Sequence, residues 1–361
     1  MEKLKDYICQ IRGVSYKPQD CSNKPKDNYI PLLRANNISN GKINFENLVY
    51  VNETKVKKEQ LLKKGDVLIC TSSGSPELVG KAGIINEDIN VTFGAFCKVL
   101  RLNKKCNYKY FNHYFQSNFY KREIQKCSNG ANIKNLKTEN FDNLDVNIID
   151  LGLQEKISVR LDLVQEIIDI RQKQITDLNE LVKSQFVELF ENKNYEKLNG
   201  KELFVFSSGK FLEASKRLEN GIPVYGGNGI AWHTNEPLID YNTIVIGRVG
   251  AYCGNVKLIK ETVWITDNAI YIKKFKKNVY NIDFLYYMME LIDFSRFAQF
   301  SGQPKITQRP LEEFEYVIPP IELQNQFSEF VKLIDKQKFE IEKSLKEMKE
   351  LYDSLMEEYF G

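Results

Sequence analysis

The chain has 361 residues, 42% apolar and 27% charged, with a formal net charge of +3. That length calls for two or three units, each with its own core, and the composition is that of a folded protein, not a disordered one. No run of 18 apolar residues occurs, which excludes a helical membrane span, and MEKLKDYICQIRG lacks the apolar core of a secretion signal, so a cytoplasmic location is expected.

In chain order, residues 1–150 carry 24 Lys and Arg against 16 Asp and Glu, a net +8, whereas residues 321–361 carry a net −4. A basic block suits a polyanionic partner. IPLLRANNI from Ile30 is strand-like and leads into a polar turn holding Arg34, Asn36 and Asn37. GDVLICTSSGSPELVGKAGII follows, with alternating apolar residues, glycine breaks and Ser73 in the turn; VTFGAFCKVLRL then reads as a further strand pair. YKYFNHYFQSNFYKREI is helical, and its aromatics (Tyr108, Tyr110, Phe111, Tyr114, Phe115, Phe119, Tyr120) fall at spacings that predict core packing over base stacking. NGANIKNLKTENFDNLDVNII closes the block and carries Asn129, Asn132, Lys134, Asn135 and Lys137.

A long helix begins at LGLQEKISVRLDLVQEIIDIRQ, and its apolar residues alternate intervals of four and three. Shifting the chain by 170 lays Ile157, Leu161, Val164, Ile168, Ile175, Leu178, Val182 and Leu189 on Phe327, Val331, Ile334, Lys338, Leu345, Met348, Tyr352 and Tyr359 without a gap. That is a heptad seam of more than four repeats, roughly 50 Å long at about 1.5 Å per residue. Polar side chains interrupt each seam (Arg171 and Gln185 in one, Lys338 in the other); their long stems suit a solvated seam.

The globular blocks repeat as well. IPVYGGNGI, with Asn228, parallels IPLLRANNI; YNTIVIGRVGAYCGNVKLI parallels the segment from Gly65; WITDNAIYIKKF parallels VTFGAFCKVLRL; IDFLYYMMELIDFSRFA parallels the aromatic helix; SGQPKITQRPLEEFEYVIPP parallels the segment from Asn129. The offset falls from 192 to 177, then to 173 when Ile133 is laid on Ile306, and to 170 in the helices. Gaps therefore fall in the globular parts and none in the helices. Two divergent modules alternate with two matched helices, which pair most simply antiparallel as a coiled coil.

Catalytic signatures are missing. GSPELVGKA has five residues between its glycines and Ala82 after the lysine, so it is not a phosphate-binding loop; YGGNGI lacks the dinucleotide pattern, and G-x-S-x-G does not occur. Seven scattered cysteines and two histidines form no metal-ligand spacing. No cofactor, metal or catalytic role is expected in this chain, which leaves binding: either to a polyanion, or as a protein–protein scaffold carrying two binding modules.

The layout, together with KLKDYICQIRGVSYKPQD, GRVGAYCGNVKLI and SGQPKITQRPLEEFEYVIPPIELQNQF, resembles the specificity subunit of type I restriction–modification systems, and does so over essentially the whole chain. The resemblance implies an α+β fold. Two pseudo-repeated α/β target recognition domains (1–150 and 193–320) are separated by two long antiparallel helices (151–192 and 321–361). It implies a bipartite, asymmetric site on double-stranded DNA, with the helix pair setting the unread spacer. It also implies two methyltransferase subunits that use S-adenosylmethionine on adenine, joined by nuclease/translocase subunits; the recognition part of a system with a fused methylase–nuclease is a near relative of this reading. Candidate DNA contacts are Arg34, Asn36, Asn37, Ser73, Asn129, Asn132, Lys134 and Lys137 in the first module, and Asn228, Arg248, Gln303, Lys305, Thr307, Gln308 and Arg309 in the second. Amides suit adenine, Arg suits guanine, and Lys suits phosphate or guanine. TSSGSPELVGKAG lacks the arginine found at Gly247-Arg248, which makes the two modules chemically unlike at that turn.

Overall fold

A computed structural model describes residues 2–103, 106–128, 135–191, 193–300 and 303–361. The chain divides into two compact units, residues 1–173 with 342–361, and residues 174–341. Each long helix contributes one half to each unit.

The two helices are Leu151–Phe190 and Ile321–Phe360, 40 residues each and 170 positions apart. In the first unit Ile157 and Leu161, near the start of the central helix, share a core with Met356 and Phe360 at the end of the other. In the second unit the order is reversed: Phe186 and Phe190 pack on Phe327, with ring centroids 5.6 and 5.4 Å apart. The pairing is therefore antiparallel in each unit. The seam departs from the sequence reading at its ends: Phe186, Phe190, Met356 and Phe360 are buried, while Leu189 and Tyr359 are only partly so. The last turns rotate because they serve the core of the adjoining globular part. Thus Tyr110 meets Phe360 at 4.9 Å and its counterpart Phe284 meets Phe190 at 4.8 Å.

In the first unit the main sheet runs Ile8–Arg12, Cys97–Leu102, Asp66–Cys70, Ala82–Ile84, all antiparallel. In the second it runs Phe204–Ser208, Ala269–Phe275, Thr243–Gly247, Val256–Ile259, again all antiparallel. Asp66–Cys70 and Thr243–Gly247 are buried along their whole length, which their unbroken apolar runs require. A smaller sheet in each unit holds a parallel pair: Tyr29–Leu33 with Thr92–Phe93, and Ile222–Gly226 with Trp264–Ile265.

Glycine permits the two sheets to touch. An added Cβ on Gly13 would lie 2.1 Å from the carbonyl oxygen of Gly94, and one on Gly209 would lie 2.2 Å from that of Thr266. Each unit is closed where its first strand pairs with the strand just before its long helix: Glu2–Lys3 with Asp145–Val146, and Glu196–Asn199 with Glu315–Ile318.

The repeated LQ at the head of each helix has a shared task. Buried Gln154 accepts a hydrogen bond from the Asn107 N–H (2.8 Å) and donates to the Ile149 carbonyl (2.7 Å). Buried Gln324 accepts from the Asn281 N–H (2.9 Å) and donates to the Val279 and Pro319 carbonyls. Asn107 and Asn281 in turn cap the short helices Tyr108–Tyr114 and Ile282–Leu291 by accepting from two backbone N–H groups each. The aromatic helices thus dock on the long ones through one amide apiece. Most of their rings are core: Tyr110, Phe111, Tyr114, Phe115, Tyr120, Phe284 and Phe294 are buried.

Candidate nucleic-acid interface

In the first unit Arg34, Asn36 and Ser73 line one groove of about 820 Å³ together with Tyr16, Leu78 and Phe96. A second groove of about 690 Å³ holds Arg12, Lys98, Lys137 and Glu139, and shares Ser15, Ser72, Ala95, Phe96 and Cys97 with the first. The two grooves adjoin through these shared residues, and between them they are lined by four cations and one carboxylate. Strand ends and turns build it: Arg34 follows Tyr29–Leu33, Ser73 follows Asp66–Cys70, and Phe96 sits in the turn before Cys97–Leu102.

The Arg34 Nε is shielded from solvent and has no partner among the described residues, while its Nη2 reaches the Asn47 carbonyl at 3.5 Å. Burial, and after it the positive charge of Arg12, hold the Lys98 ammonium below its ordinary pKa; an added anion would relieve that second effect. Ser73 accepts from the Ser75 N–H at 3.1 Å, which fixes the turn. Lys137 and Asn36 are exposed.

Asn37 differs from the expectation. It is buried, accepts from the Arg34 N–H (2.9 Å) and donates to the carbonyls of Asn44 and Glu46 (both 3.0 Å). A short loop that turns away from its sheet leaves backbone groups unpaired, and this amide satisfies them. It holds Arg34 in place and presents nothing outward. Asn129, Asn132 and Lys134 lie outside the described residues.

In the second unit Arg248 follows Thr243–Gly247. Its Nη1 donates to the Asp267 carbonyl at 3.2 Å, and its Nε is shielded with no partner among the described residues. The turn carrying Asn228 packs beside it: a Cβ on Gly227 would stand 3.5 Å from the Gly247 Cα and 3.7 Å from the Val249 carbonyl oxygen. Lys305 pairs with Val249 through a backbone bridge, and the Ile306 N–H donates to the Arg248 carbonyl at 2.9 Å. Asn228, Arg248 and Lys305 are thus carried on neighbouring backbones, with Asn228 and Lys305 exposed. Gln303 is exposed nearby in sequence, Thr307 stands at the N-cap position of the helix Gln308–Glu313 without a side-chain capping bond, Gln308 donates to the Ser208 hydroxyl at 3.3 Å, and Arg309 is tied along its own helix to Glu313 at 2.7 Å.

Backbone hydrogen bonds align the two units residue by residue. The Thr71 N–H donates to the Phe96 carbonyl at 2.9 Å, as the Arg248 N–H does to Asn268 at 2.9 Å; the Leu136 N–H donates to Thr71 at 2.7 Å, as Ile306 does to Arg248 at 2.9 Å. Leu136, not Ile133, is therefore the counterpart of Ile306, and Asn135 and Lys137 stand opposite Lys305 and Thr307. The offset of 170 already holds in this loop, so the last gap of the repeat falls upstream of it. Sequence reasoning passed over Arg12, Lys98 and Phe96, because nothing in IRGVSY or GAFCK separates a side chain that lines a groove from one in the core.

Among the described residues no group of three or more His, Cys, Asp or Glu could hold a metal, and no helix is long and apolar enough to cross a membrane.

Comparisons with known proteins follow the same division. The family model for the type I restriction modification DNA specificity domain matches twice, at residues 2–180 and 192–350. The StySPI specificity subunit of Salmonella potsdam is 37% identical over 173 residues, and the EcoKI specificity subunit of Escherichia coli strain K12 is 38% identical over 173 residues. Each match takes in 48% of this chain and 37% of the relative, so the aligned part spans well under half of those relatives' length. The crystal structure of a type I restriction–modification S subunit from M. genitalium aligns over 100% of this chain and 95% of its own, with a TM-score of 0.65 at 18% identity, a likeness of fold.

Proposed function

Because the chain belongs to the family of the type I restriction modification DNA specificity domain, we propose that it is the DNA-reading subunit of such a system and has no catalytic group of its own. Each unit reads one half of a bipartite, asymmetric site on double-stranded DNA, and the helix pair sets the unread spacer. Two methyltransferase subunits supply S-adenosylmethionine and the adenine chemistry, nuclease/translocase subunits complete the assembly, and the complex works in the cytoplasm.

The observation that carries this reading is one scaffold built twice with two different sets of outward polar side chains at the same turns. A scaffold kept while its loops diverge is what two readers of different sequences require. Arg34, Asn36, Ser73 and Lys137 are the contacts proposed for the first half-site, and Asn228, Arg248, Gln303 and Lys305 for the second. Thr307, Gln308 and Arg309 support the second loop, and Asn129, Asn132 and Lys134 complete the first.

The test is the pattern of modified adenines in a host genome with and without this gene, joined to gel-shift of the reconstituted methyltransferase complex at low and high salt. A two-part motif that disappears with the gene, and binding that weakens steeply with salt, are expected. An unchanged methylome, with no DNA binding even when the methyltransferase is present, would favour the protein-scaffold reading. Inserting four residues, about one turn, at matching points of both helices is expected to lengthen the spacer and leave the half-sites as they were.

A further inference from the structure

Phe96 is 70% exposed, more than any other large apolar side chain among the described residues. It is not a loose surface residue. It stands in the tight turn Gly94–Cys97, where the Cys97 N–H donates to the Gly94 carbonyl at 2.9 Å. Its own carbonyl accepts from the Thr71 N–H (2.9 Å), the Ser72 N–H (3.1 Å) and the Thr71 hydroxyl (3.1 Å). The backbone is pinned three times while the ring projects between the two halves of the groove, which both include it. A single exposed apolar residue is ordinary on a protein surface; what sets this one apart is its pinned backbone and its place on two grooves lined by cations.

The groove's charge says which ligand. Lys98 is buried and already held by Gln10 at 2.6 Å and Thr138 at 3.1 Å, whereas Arg12, Arg34 and Lys137 line the two grooves that share the ring, against one carboxylate, Glu139. An apolar protein surface would bury those cations without partners, whereas a nucleic acid brings phosphates to them and base edges to the ring. The second unit shows the contrast. At the positions aligned by identical backbone hydrogen bonds, Thr71 and Phe96 are replaced by Arg248 and Asn268. Arg and Asn are the side chains that read guanine and adenine by paired hydrogen bonds; Thr and Phe are side chains that contact the C5-methyl of thymine in the major groove.

We infer that Phe96 is a specificity-determining contact that reads a thymine methyl group in the half-site of the first unit. The inference rests on the DNA-reading function proposed above. It predicts that at this one aligned turn the two units use different chemistry, an apolar contact in the first and arginine and amide hydrogen bonds in the second.

The experiment uses the full chain reconstituted with its methyltransferase subunits and a duplex carrying the methylated motif. Each thymine of the motif is replaced in turn by uracil, which lacks only the methyl group. Wild type is expected to bind about fourfold more weakly at one such position in one half-site, the value of one buried methyl. Phe96→Ala and Phe96→Asn are expected to bind the thymine and uracil duplexes alike, with the other half-site read as before. Their melting should stay close to wild type, since the side chain is 70% exposed. Indifference of wild type to every uracil would overturn the inference, and so would a thymine preference that survives in Phe96→Ala. In either case salt-sensitive binding of the parent duplex would leave the DNA-reading function standing. Absence of that binding in wild type would remove both.

Discussion

The two units share a skeleton and differ in what they hold out from it. Strand order, the parallel pair, the glycine at the sheet crossing and the buried glutamine that docks the short helix recur in both. At the turn after the fully buried central strand, one unit places buried Thr71 and exposed Phe96 where the other places Arg248 and exposed Asn268. The smaller sheets diverge too: Tyr29–Leu33 is joined to its antiparallel neighbour Val49–Asn52 by a long loop containing a further hairpin, whereas Ile222–Gly226 turns tightly into Gly229–Thr234. Parts whose hydrogen bonds are all internal have little freedom to change; parts that face outward on fixed backbone can vary at small cost to stability.

The sharpest way to break that equivalence is at the glycines. Gly13→Ala and Gly209→Ala each drive a Cβ into a backbone oxygen, at 2.1 and 2.2 Å. Each is expected to cost about 3 kcal/mol, read by urea unfolding of the full chain, and hydrogen exchange should show the loss in the strands of its own unit alone. A single variant that loosened both units equally would refute their independence.

Next are the glutamines. Gln154→Leu and Gln324→Leu each strip partners from a half-buried N–H and at least one carbonyl, and each is expected to cost about 1–3 kcal/mol. The equivalence requires the two costs to be alike; a difference well beyond that between replicate melts would say that the shared geometry hides unequal roles.

Smaller and confined to one side is Arg248→Ala, expected to weaken binding of the modified motif by about 1–3 kcal/mol and to relax one base choice. Thr71→Ala, at the aligned position, is expected to do far less, because a methyl and a hydroxyl replace a guanidinium there. Competition gel-shift with motif variants checks both.

The smallest effect belongs to a feature that the first unit alone possesses. His113 Nε2 lies 2.8 Å from Asp162 and its Nδ1 lies 2.9 Å from the Tyr352 hydroxyl, while Lys109 reaches Asp162 at 2.7 Å. Burial alone would raise the Asp162 pKa, but hydrogen bonds and charge from His113 and Lys109 outweigh it, and the carboxyl titrates below its ordinary value of 3.8. A depressed carboxylate contributes stability that is whole above the unfolded pKa and fades as pH falls through the folded one. Acid unfolding below about pH 4 should therefore be shallower in Asp162→Asn than in wild type, measured by urea midpoints along a pH series.

Much of this architecture could be read from residues alone, because gapless periodicity survives divergence. The heptad spacing located both 40-residue helices and their 170-residue shift. Burial repeats with it: residues 171–180 and 341–350 follow one pattern of half-buried and exposed positions. The turns at Arg34, Ser73, Asn228 and Arg248 were legible from glycine and strand punctuation. Other features were not. Gln154 and Gln324 look like surface polar residues until the short helix that docks on them is in place. Asn37 and Asn36 are adjacent and identical, and only the fold decides which one turns inward. Phe96 sits in an apolar run, where outward and inward rings are written with the same letter.

The closing strands have a consequence for how such a chain can change over time. In each unit the segment enters and leaves through two antiparallel neighbours, Glu2–Lys3 beside Asp145–Val146 and Glu196–Asn199 beside Glu315–Ile318. Ends already side by side impose little entropic penalty on whatever sequence joins them. Recombination at those paired borders would let a lineage acquire an unrelated insert as a cassette, leaving the long helices and their glutamines untouched.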